Sequence, residues 1–293
     1  MATAAGYSEE DLEVLEAEFT RLIERSITDV CVATAAQLRG PIIAAASSAS
    51  LGPQDVAVVT QLWEEQVDGV LTPYVAEVYT GSAAQVAIGV ADAFPSDVLP
   101  GVPLVPDQFP LTYMKSVTGE FVGVGDELWE DIRNELLDGI QQGQSIPQIA
   151  ARIQAVSNYT ERHSTMVART AVHTAAEAGN VAQMKLMGYE DDEVQKEWVA
   201  TLGDGRTPPT HIAANGHRVG LNEKITVGGW KLDHPGDILG PADEIINCRC
   251  TTVFNFDVAP KFRCDRVLTA PADDPTFCIL PTAKPSIAHL LTP

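Results

Sequence analysis

The pattern of the chain changes at Gly188, and this change sets its fold class. Before Gly188, apolar residues recur at three- and four-residue steps, the spacing of amphipathic helices. After it come short runs rich in β-branched and aromatic residues, at 194–201, 218–221, 225–232 and 251–256. The sequence therefore predicts an α+β protein, in which a helical N-terminal part and long helices precede a small β-containing C-terminal module and an extended tail.

Capping residues indicate where three of the helices begin or end. Ser8, with Asp11 three residues later, is a helix-start pair in which each residue accepts a backbone amide of the other. The tripeptide 145–147 offers a serine cap and an early-turn proline for a second start. A longer helix is predicted from about residue 160 to 187, where Gly188 ends it.

Prolines divide the chain into its predicted domains. Five of them fall between residues 95 and 110, and at that density they remove too many amide donors for a helix or a central strand. The predicted domains are a helical domain at 1–94, a linker at 95–111, a second domain at 112–257 with helices to 188 and the β-containing module at 189–257, and a proline-rich arm at 258–293.

Charge and hydropathy exclude several classes of protein. The chain has 40 Asp and Glu against 19 Lys and Arg, a formal net charge of −21, which disfavours a duplex-binding surface and sequence-specific nucleic-acid recognition. No apolar run approaches the length of a membrane span, and the acidic first 20 residues do not resemble a signal peptide. We therefore expect synthesis in the cytoplasm and no membrane partner.

Cysteine usage draws attention to one pair. The five cysteines are an odd number and sparse for 293 residues, so they do not indicate a disulfide scaffold. Cys248 and Cys250 stand one residue apart, and this spacing needs an explanation.

Polar and small residues form four patches whose order and spacing are specific. They are Ala168-Arg169-Thr170; then Trp198 followed by Asp204, Arg206, His211 and Asn215-Gly216; then His234-Pro235-Gly236-Asp237; and finally Ile246-Asn247-Cys248-Arg249-Cys250. Each patch alone would be common by chance, but the ordered set is not. Together they resemble the phage Mu F-like domain of minor head proteins, also called the head morphogenesis domain, over about residues 127–256.

The resemblance implies a structural role in a tailed bacteriophage. Members of the family are minor capsid proteins that associate with the portal protein inside the procapsid and stay in the virion. Contact with the major capsid or scaffolding protein is a further expectation. Because domains of this family also occur fused to toxin modules, the alternative is a capsid-carried effector that is injected into the host with the DNA.

The patch residues are predicted to form a structural polar network. A guanidinium at 169, in an otherwise apolar and small-sided helix, needs a carboxylate or several carbonyls, and Asp204 or Asp237 would supply it. The predicted network consists of Arg169, Trp198, Asp204, Arg206, His211, Asn215, Asp237, Asn247, Cys248, Arg249 and Cys250.

No cofactor, metal or catalytic residue is predicted. We interpret Cys248 and Cys250 as a packed, reduced thiol pair. Zinc is the alternative, with both thiols and His211 as ligands and with His217, His234 or Asp204 as the fourth. A His-Asn-His nuclease is disfavoured, because its three residues would lie within one seven-residue segment. The sequence also has no nucleophile elbow and no phosphate-binding glycine loop, so we expect a protein that is not an enzyme.

Overall fold

A computed structural model describes residues 2–37, 53–93, 146–156, 161–189, 191–203 and 205–256, with eight separate positions between 131 and 144. The predicted linker, the C-terminal arm and Asp204 lie outside these residues. The chain divides into two compact units: the first combines Met1–Leu15, Val75–Tyr113 and Arg169–Pro293, and the second combines Glu16–Tyr74 and Met114–Ala168. Each unit thus contains chain from both sides of the predicted linker, and the predicted domain bounds stay predictions.

Helix α1, Glu9–Gln37, begins at the predicted cap. The backbone N–H of Asp11 donates to Ser8 Oγ at 3.2 Å, and the backbone N–H of Ser8 donates to Asp11 Oδ2 at 3.2 Å. These reciprocal bonds satisfy donors that the first turn of a helix leaves without intrahelical partners. The predicted helix start is confirmed.

Two helices follow each other through a wider turn. Helix α2, Pro53–Gln66, continues through a π-helical turn, Val67–Leu71, into helix α3, Thr72–Ala93. Pro73 has no amide hydrogen, and its ring would clash with the carbonyl four residues earlier in a regular helix. The π turn accommodates the proline, because Thr72 donates to the carbonyl of Val67, five residues back.

Helices α4, Ile146–Ala155, and α5, Glu161–Leu186, lie where the sequence predicts them. Gly188 closes α5 with a φ of +75° and donates its amide to the carbonyl of Lys185 at 3.1 Å. Within the part of the chain that the structure describes, none of the helices is long and apolar enough to cross a membrane.

The β-containing module in the first unit is built on a four-stranded antiparallel sheet. Its order is β1–β6–β2–β3, where β1 is Ala2–Ala4, β2 is Val194–Val199, β3 is Arg218–Gly220 and β6 is Thr251–Phe256. Strand β1 was not predicted, because three small residues carry no strand signal of their own. It pairs with β6, which offers a free edge for hydrogen bonding. The α+β class is confirmed.

The β-rich run predicted at 225–232 forms a separate hairpin. Its two strands are β4, Ile225–Val227, and β5, Trp230–Leu232. Gly228 and Gly229 between them have φ values of +55° and +89°, the left-handed conformations that a two-residue hairpin turn requires. Two short helices complete the module, α6, Pro209–Ala214, and α7, Ala242–Ile245.

The first unit contains two apolar clusters. One joins α3, α5 and the sheet through Val86, Val181, Met184, Leu221 and Phe254. The other lies between the sheet and the hairpin and contains Trp198, Ile225, Val227, Leu232, Cys248 and Cys250. The cysteine pair is therefore part of a core. In the second unit, Phe19 stacks on Tyr74 with ring centroids 4.9 Å apart.

Replacing Gly179 by alanine is expected to lower the free energy of unfolding by about 1–3 kcal/mol, because the core would be overpacked. A Cβ at this position of α5 would lie 2.2 Å from the carbonyl oxygen of Tyr79 in α3, so the two helix backbones would have to separate. Gly89→Ala is the control, since its Cβ meets its nearest neighbour, Ala4, at an ordinary 3.4 Å. Equal urea unfolding midpoints for the two variants would contradict this packing.

Candidate functional site

One face of α5 carries buried polar side chains at helical spacing. Thr170, His173, Glu177 and Asn180 are each no more than 3% exposed and stand three or four residues apart on an alanine-rich helix. Side chains at this spacing lie on one face of a helix. Buried polar groups need partners, so this face requires a polar surface opposite it.

The segment 247–252, which contains the cysteine pair, supplies that surface. Thr170 Oγ1 accepts a hydrogen bond from the backbone N–H of Asn247 at 3.2 Å. His173 donates a ring N–H to the carbonyl of Cys250. The carboxylate of Glu177 accepts from the backbone N–H of Thr252 and the hydroxyl of Thr251, both at 2.8 Å. Three points on one helix thus fix the backbone on both sides of the cysteines.

The chain enters this segment through an unusual conformation at Asn247. Its φ is +58°, the one positive value among the described residues other than glycine. Asparagine tolerates this conformation better than most residues. Its side-chain oxygen also accepts a bond from Arg169 Nη1 at 3.4 Å. The turn directs Cys248 into the module, where its amide donates to the carbonyl of Ile245 at 3.1 Å.

Two thiols and an imidazole meet inside the module. Nδ1 of His211 lies 3.2 Å from the sulfur of Cys250 and 3.7 Å from the sulfur of Cys248. The three side chains are 2%, 1% and 4% exposed, respectively. One ligand atom from each lies within 4.8 Å of the other two, and among the described residues this is the group able to hold a metal ion.

The other side of the imidazole faces a carboxylate. Nε2 of His211 lies 3.0 Å from Oε2 of Glu244, which also accepts a hydrogen bond from the hydroxyl of Thr210 at 2.9 Å. The ring of Trp198 contacts the imidazole edge to face, with centroids 5.4 Å apart. The imidazole is therefore held on three sides: by the sulfurs, the carboxylate and the indole.

Contacts among the two thiols and the imidazole shift the pKa of all three groups. A hydrogen bond from Cys248 lowers the pKa of Cys250 to about 5 despite burial, with help from His211 and the indole of Trp198. Donating that bond, together with burial, raises the pKa of Cys248 well above its usual value. Burial alone would lower the pKa of His211, but Cys250 and Glu244 hold it above its ordinary value. The cluster therefore favours a thiolate beside an imidazolium.

Such a pair has two chemical uses in proteins, nucleophilic attack and metal binding. A thiolate next to a histidine that a carboxylate orients is the geometry of an activated nucleophile. A nucleophile must reach its substrate, however, and Cys250 is 1% exposed. Metal binding needs no such access and suits two sulfurs and one ring nitrogen.

A second polar centre holds a buried lysine. Lys196 of β2 is 0% exposed, and its ammonium pairs with Asp233, which also binds Lys185 at 2.6 Å. Burial lowers the pKa of Lys196. Burial alone would raise the pKa of Asp233, but the two lysines hold it below its usual value. The backbone N–H of Asp233 in turn donates to Asp237 at 2.8 Å.

The predicted network residues fall into several groups. Trp198, His211, Cys248 and Cys250 form the buried cluster, and Arg169 contacts Asn247 at its edge. Asn215 and Arg249 take part in separate hydrogen bonds between loops. The side-chain oxygen of Asn215 accepts from the backbone N–H of Ala200, and the backbone carbonyl of Arg249 accepts from the hydroxyl of Thr201. Asp237 organises the turn that follows β5, Arg206 is exposed, and Asp204 lies outside the described residues.

The structure corrects the predicted burial of Arg169 and adds four polar residues to the site. Arg169 was expected to be buried, whereas it is partly exposed and donates to the side-chain oxygen of Asn247. Its predicted carboxylate partner stays a prediction. His173, Glu177, Glu244 and Lys196 were not predicted as site residues. The first two carry a readable signal, since polar residues repeat every three or four positions along an alanine-rich helix from Arg169 onward.

The buried Glu177 is expected to make stability fall as the pH rises. Burial raises its pKa from 4.5 to about 7, so the folded chain holds this proton more tightly than the unfolded chain. The folded state is therefore favoured below pH 4.5 and loses stability up to about pH 7, by roughly 3 kcal/mol at most. Burial lowers the pKa of His173 from 6.5 to about 3. This group therefore makes the folded state more stable as the pH rises from about 3 to 6.5.

Glu177→Gln tests this assignment. Urea unfolding across pH 4.5–8 should show the variant gaining stability relative to the unmodified chain as the pH rises through the window set by the pKa of about 7. Any offset that is the same at every pH reports lost hydrogen bonds and not titration. Glu10→Gln, on an exposed position of α1, is the control for the charge change. Parallel pH profiles for all three proteins would contradict the prediction.

The part of the chain that holds these centres is similar to a known protein family. Residues 130–253 match the family described as phage Mu protein F like protein. No solved structure matches the chain significantly.

Two curated relatives match as well. The chain is 31% identical over 147 residues to the NAD(+)–arginine ADP-ribosyltransferase EFV of Enterococcus faecalis, a match covering 48% of this chain and 28% of that protein. It is 27% identical over 203 residues to the minor head protein GP7 of Bacillus phage SPP1, covering 68% of this chain and 62% of that protein. Both matches span less than two thirds of the relative's own length.

Proposed function

Because residues 130–253 match the phage Mu protein F like family, we propose that this chain is a non-enzymatic minor head protein of a tailed bacteriophage. It acts in head morphogenesis, associates with the portal protein inside the procapsid and is retained in the virion. It is synthesised in the host cytoplasm and ends inside the head, near the portal.

The similarity to the minor head protein GP7 carries this proposal. That match extends over 203 residues and 68% of the chain, whereas the family match covers 124 residues, from 130 to 253. The likeness therefore reaches beyond the family domain alone. It supports a common role for the larger part of the chain.

The chemistry of the buried side chains supports a structural role. The buried polar side chains of α5 bind the segment 247–252, and the thiols described in the structure are buried at Cys31, Cys248 and Cys250. Groups engaged in this way fix a shape and are not presented to a substrate. A fixed shape is what a docking unit in a multi-protein assembly needs.

The portal protein is the expected partner, with the major capsid protein or the scaffolding protein as further candidates. The net charge of −21 disfavours sequence-specific nucleic-acid binding as the basis of head association. A protein partner therefore remains the route by which the chain enters the head.

Co-expression with the portal protein of the same phage tests the partner. The tagged chain should retain the portal on an affinity column and elute with it in size-exclusion chromatography. The major capsid protein of the same phage, co-expressed with the tagged chain in a parallel experiment, is the comparison. Elution of chain and portal as separate species, at concentrations where each is folded, would contradict portal association.

A capsid-carried effector, injected with the DNA, is the second candidate. Its support is the 31% identity to the ADP-ribosyltransferase EFV, but this match covers only 28% of that protein. An effector should arrest host growth when expressed inside the cell and should transfer labelled ADP-ribose from NAD+ to host protein. Unchanged growth and no transfer would remove this candidate and leave the minor head role standing.

A further inference from the structure

We propose that His211, Cys248 and Cys250 bind one Zn²⁺ ion in the core of the β-containing module. This inference goes beyond the proposed function, because a head protein with or without zinc would assemble through its surfaces. It also revises the sequence expectation of a reduced thiol pair without metal.

The spacing of the three donor atoms matches a tetrahedral zinc site. With Zn–S bonds of about 2.3 Å and a Zn–N bond of about 2.0–2.1 Å, tetrahedral angles place each nitrogen–sulfur pair about 3.6 Å apart. The two separations from His211 Nδ1 are 3.2 Å and 3.7 Å, to Cys250 and Cys248. Both nitrogen–sulfur separations are thus within a few tenths of an ångström of the tetrahedral value, and all three donor atoms lie within 4.8 Å of one another.

The orientation of the imidazole follows the pattern of a metal ligand. Its Nδ1 faces both sulfurs, and its Nε2 lies 3.0 Å from Glu244. A histidine that binds metal through one nitrogen usually donates its other N–H to a carboxylate, which fixes the ring and increases its basicity. Thr210 holds the carboxylate in place at 2.9 Å. The outer shell thus consists of Thr210, which is next to His211 in α6, and Glu244 of α7, which precedes Cys248 by four residues.

The backbone around the sulfurs is held by contacts independent of any metal. Thr170 and Glu177 bind residues on either side of the cysteine pair, and the amide of Cys248 donates to Ile245. A ligand set that is already in position loses little conformational entropy when it binds an ion.

Zinc fits this donor set best among the common metals. Two thiolates and an imidazole exclude calcium and magnesium, which prefer oxygen ligands. The described residues supply three ligands, so a water molecule or another small donor completes the tetrahedron. The burial of all three side chains protects the thiolates from oxidation.

Metal analysis of the full chain, purified without chelator, tests the proposal. One zinc ion per chain is expected by plasma mass spectrometry. After exchange with Co²⁺, the expected signature is a thiolate-to-cobalt charge-transfer band together with the visible bands of a tetrahedral ion. A chain that stays free of zinc after dialysis against zinc and shows no cobalt bands would overturn the proposal. A disulfide between Cys248 and Cys250 in the freshly purified chain would also overturn it.

Variants assign the ligands. Cys248→Ser and Cys250→Ser should each lose the zinc, whereas Cys31→Ser, which changes the other buried thiol among the described residues, should keep one ion per chain. Glu244→Gln should keep the ion at saturating zinc but bind it about 10–100-fold more weakly, as for other outer-shell changes. Circular dichroism identifies a variant that does not fold. In that case the cobalt spectrum of the unmodified chain tests whether the metal site exists. Unchanged zinc affinity in a folded Cys250→Ser chain would contradict the ligand assignment.

Zinc content and portal binding are measured separately. A chain that binds zinc but not the portal protein refutes the proposed function alone, and the reverse result refutes the zinc site alone.

Discussion

Replacing Asp233 by asparagine is expected to lower the free energy of unfolding by about 3–5 kcal/mol, the cost of leaving a buried charge without its partner. The ammonium of Lys196 is the buried charge, at 0% exposure, and Asp233 is the carboxylate that pairs with it. The Asp233 side chain is 23% exposed, and water entering at its edge places the effect toward the lower end of the range.

Lys196→Met is the matched control, because it removes the other half of the same pair. It leaves Asp233 bound to Lys185, near solvent, and fills the space with an apolar chain of similar length. Its expected effect is within about 1 kcal/mol in either direction. The double variant Lys196→Met, Asp233→Asn should therefore recover most of the stability lost in Asp233→Asn. Urea unfolding of the four proteins measures both effects, and equal destabilisation by the two single changes would contradict a buried charge.

Replacing Trp198 by alanine is expected to cost about 3–5 kcal/mol, the usual range for removing a large aromatic side chain from a core. Trp198 is 0% exposed, belongs to the second apolar cluster, and packs against His211. The cavity would open beside the buried cysteines, so the module should lose its fixed arrangement around them. The thermal unfolding midpoint by circular dichroism measures the loss.

Trp230→Ala is the matched control for this change, since Trp230 is 53% exposed in strand β5. Its expected effect is within about 0.5 kcal/mol, as for most surface substitutions. Equal shifts for the two tryptophans would mean that Trp198 is not the centre of the core. Faster labelling of Cys248 and Cys250 by a thiol reagent in Trp198→Ala alone would support the role assigned to the indole.

Sequence patterns predicted the elements that local chemistry determines. The cap at Ser8, the stop at Gly188 and the periodicity of α5 each depend on neighbours within a few residues, and all three are found in the structure. The β-rich run at 225–232 was predicted without the turn that divides it. The Gly228-Gly229 dipeptide was the available signal for two strands.

Features that depend on distant chain were not predictable in this way. Strand β1 exists because Ala2–Ala4 finds the open edge of β6, more than 240 residues away. Lys196 occupies an inward position of β2, which alternation alone marks as apolar, and its partner Asp233 lies on the loop that follows β5. Each pairing is fixed by the topology of the folded unit and not by any local pattern.

The candidate site was predicted in part, for the same reason. The sequence singled out Trp198, His211, Cys248 and Cys250, and the structure brings these four together. It did not single out Glu244 or Glu177, whose importance depends on what lies opposite them. Carboxylates are common on helices, and only the fold shows that these two face an imidazole and a strand backbone.

Quantitative mass spectrometry of purified particles tests whether this chain is a minor head protein. The particles are those of the phage that encodes this chain, separated into procapsids and DNA-filled heads. We expect the chain in both fractions, at a copy number far below that of the major capsid protein and in a fixed ratio to the portal protein. Its absence from both fractions, with the portal protein detected in each, would contradict a minor head protein.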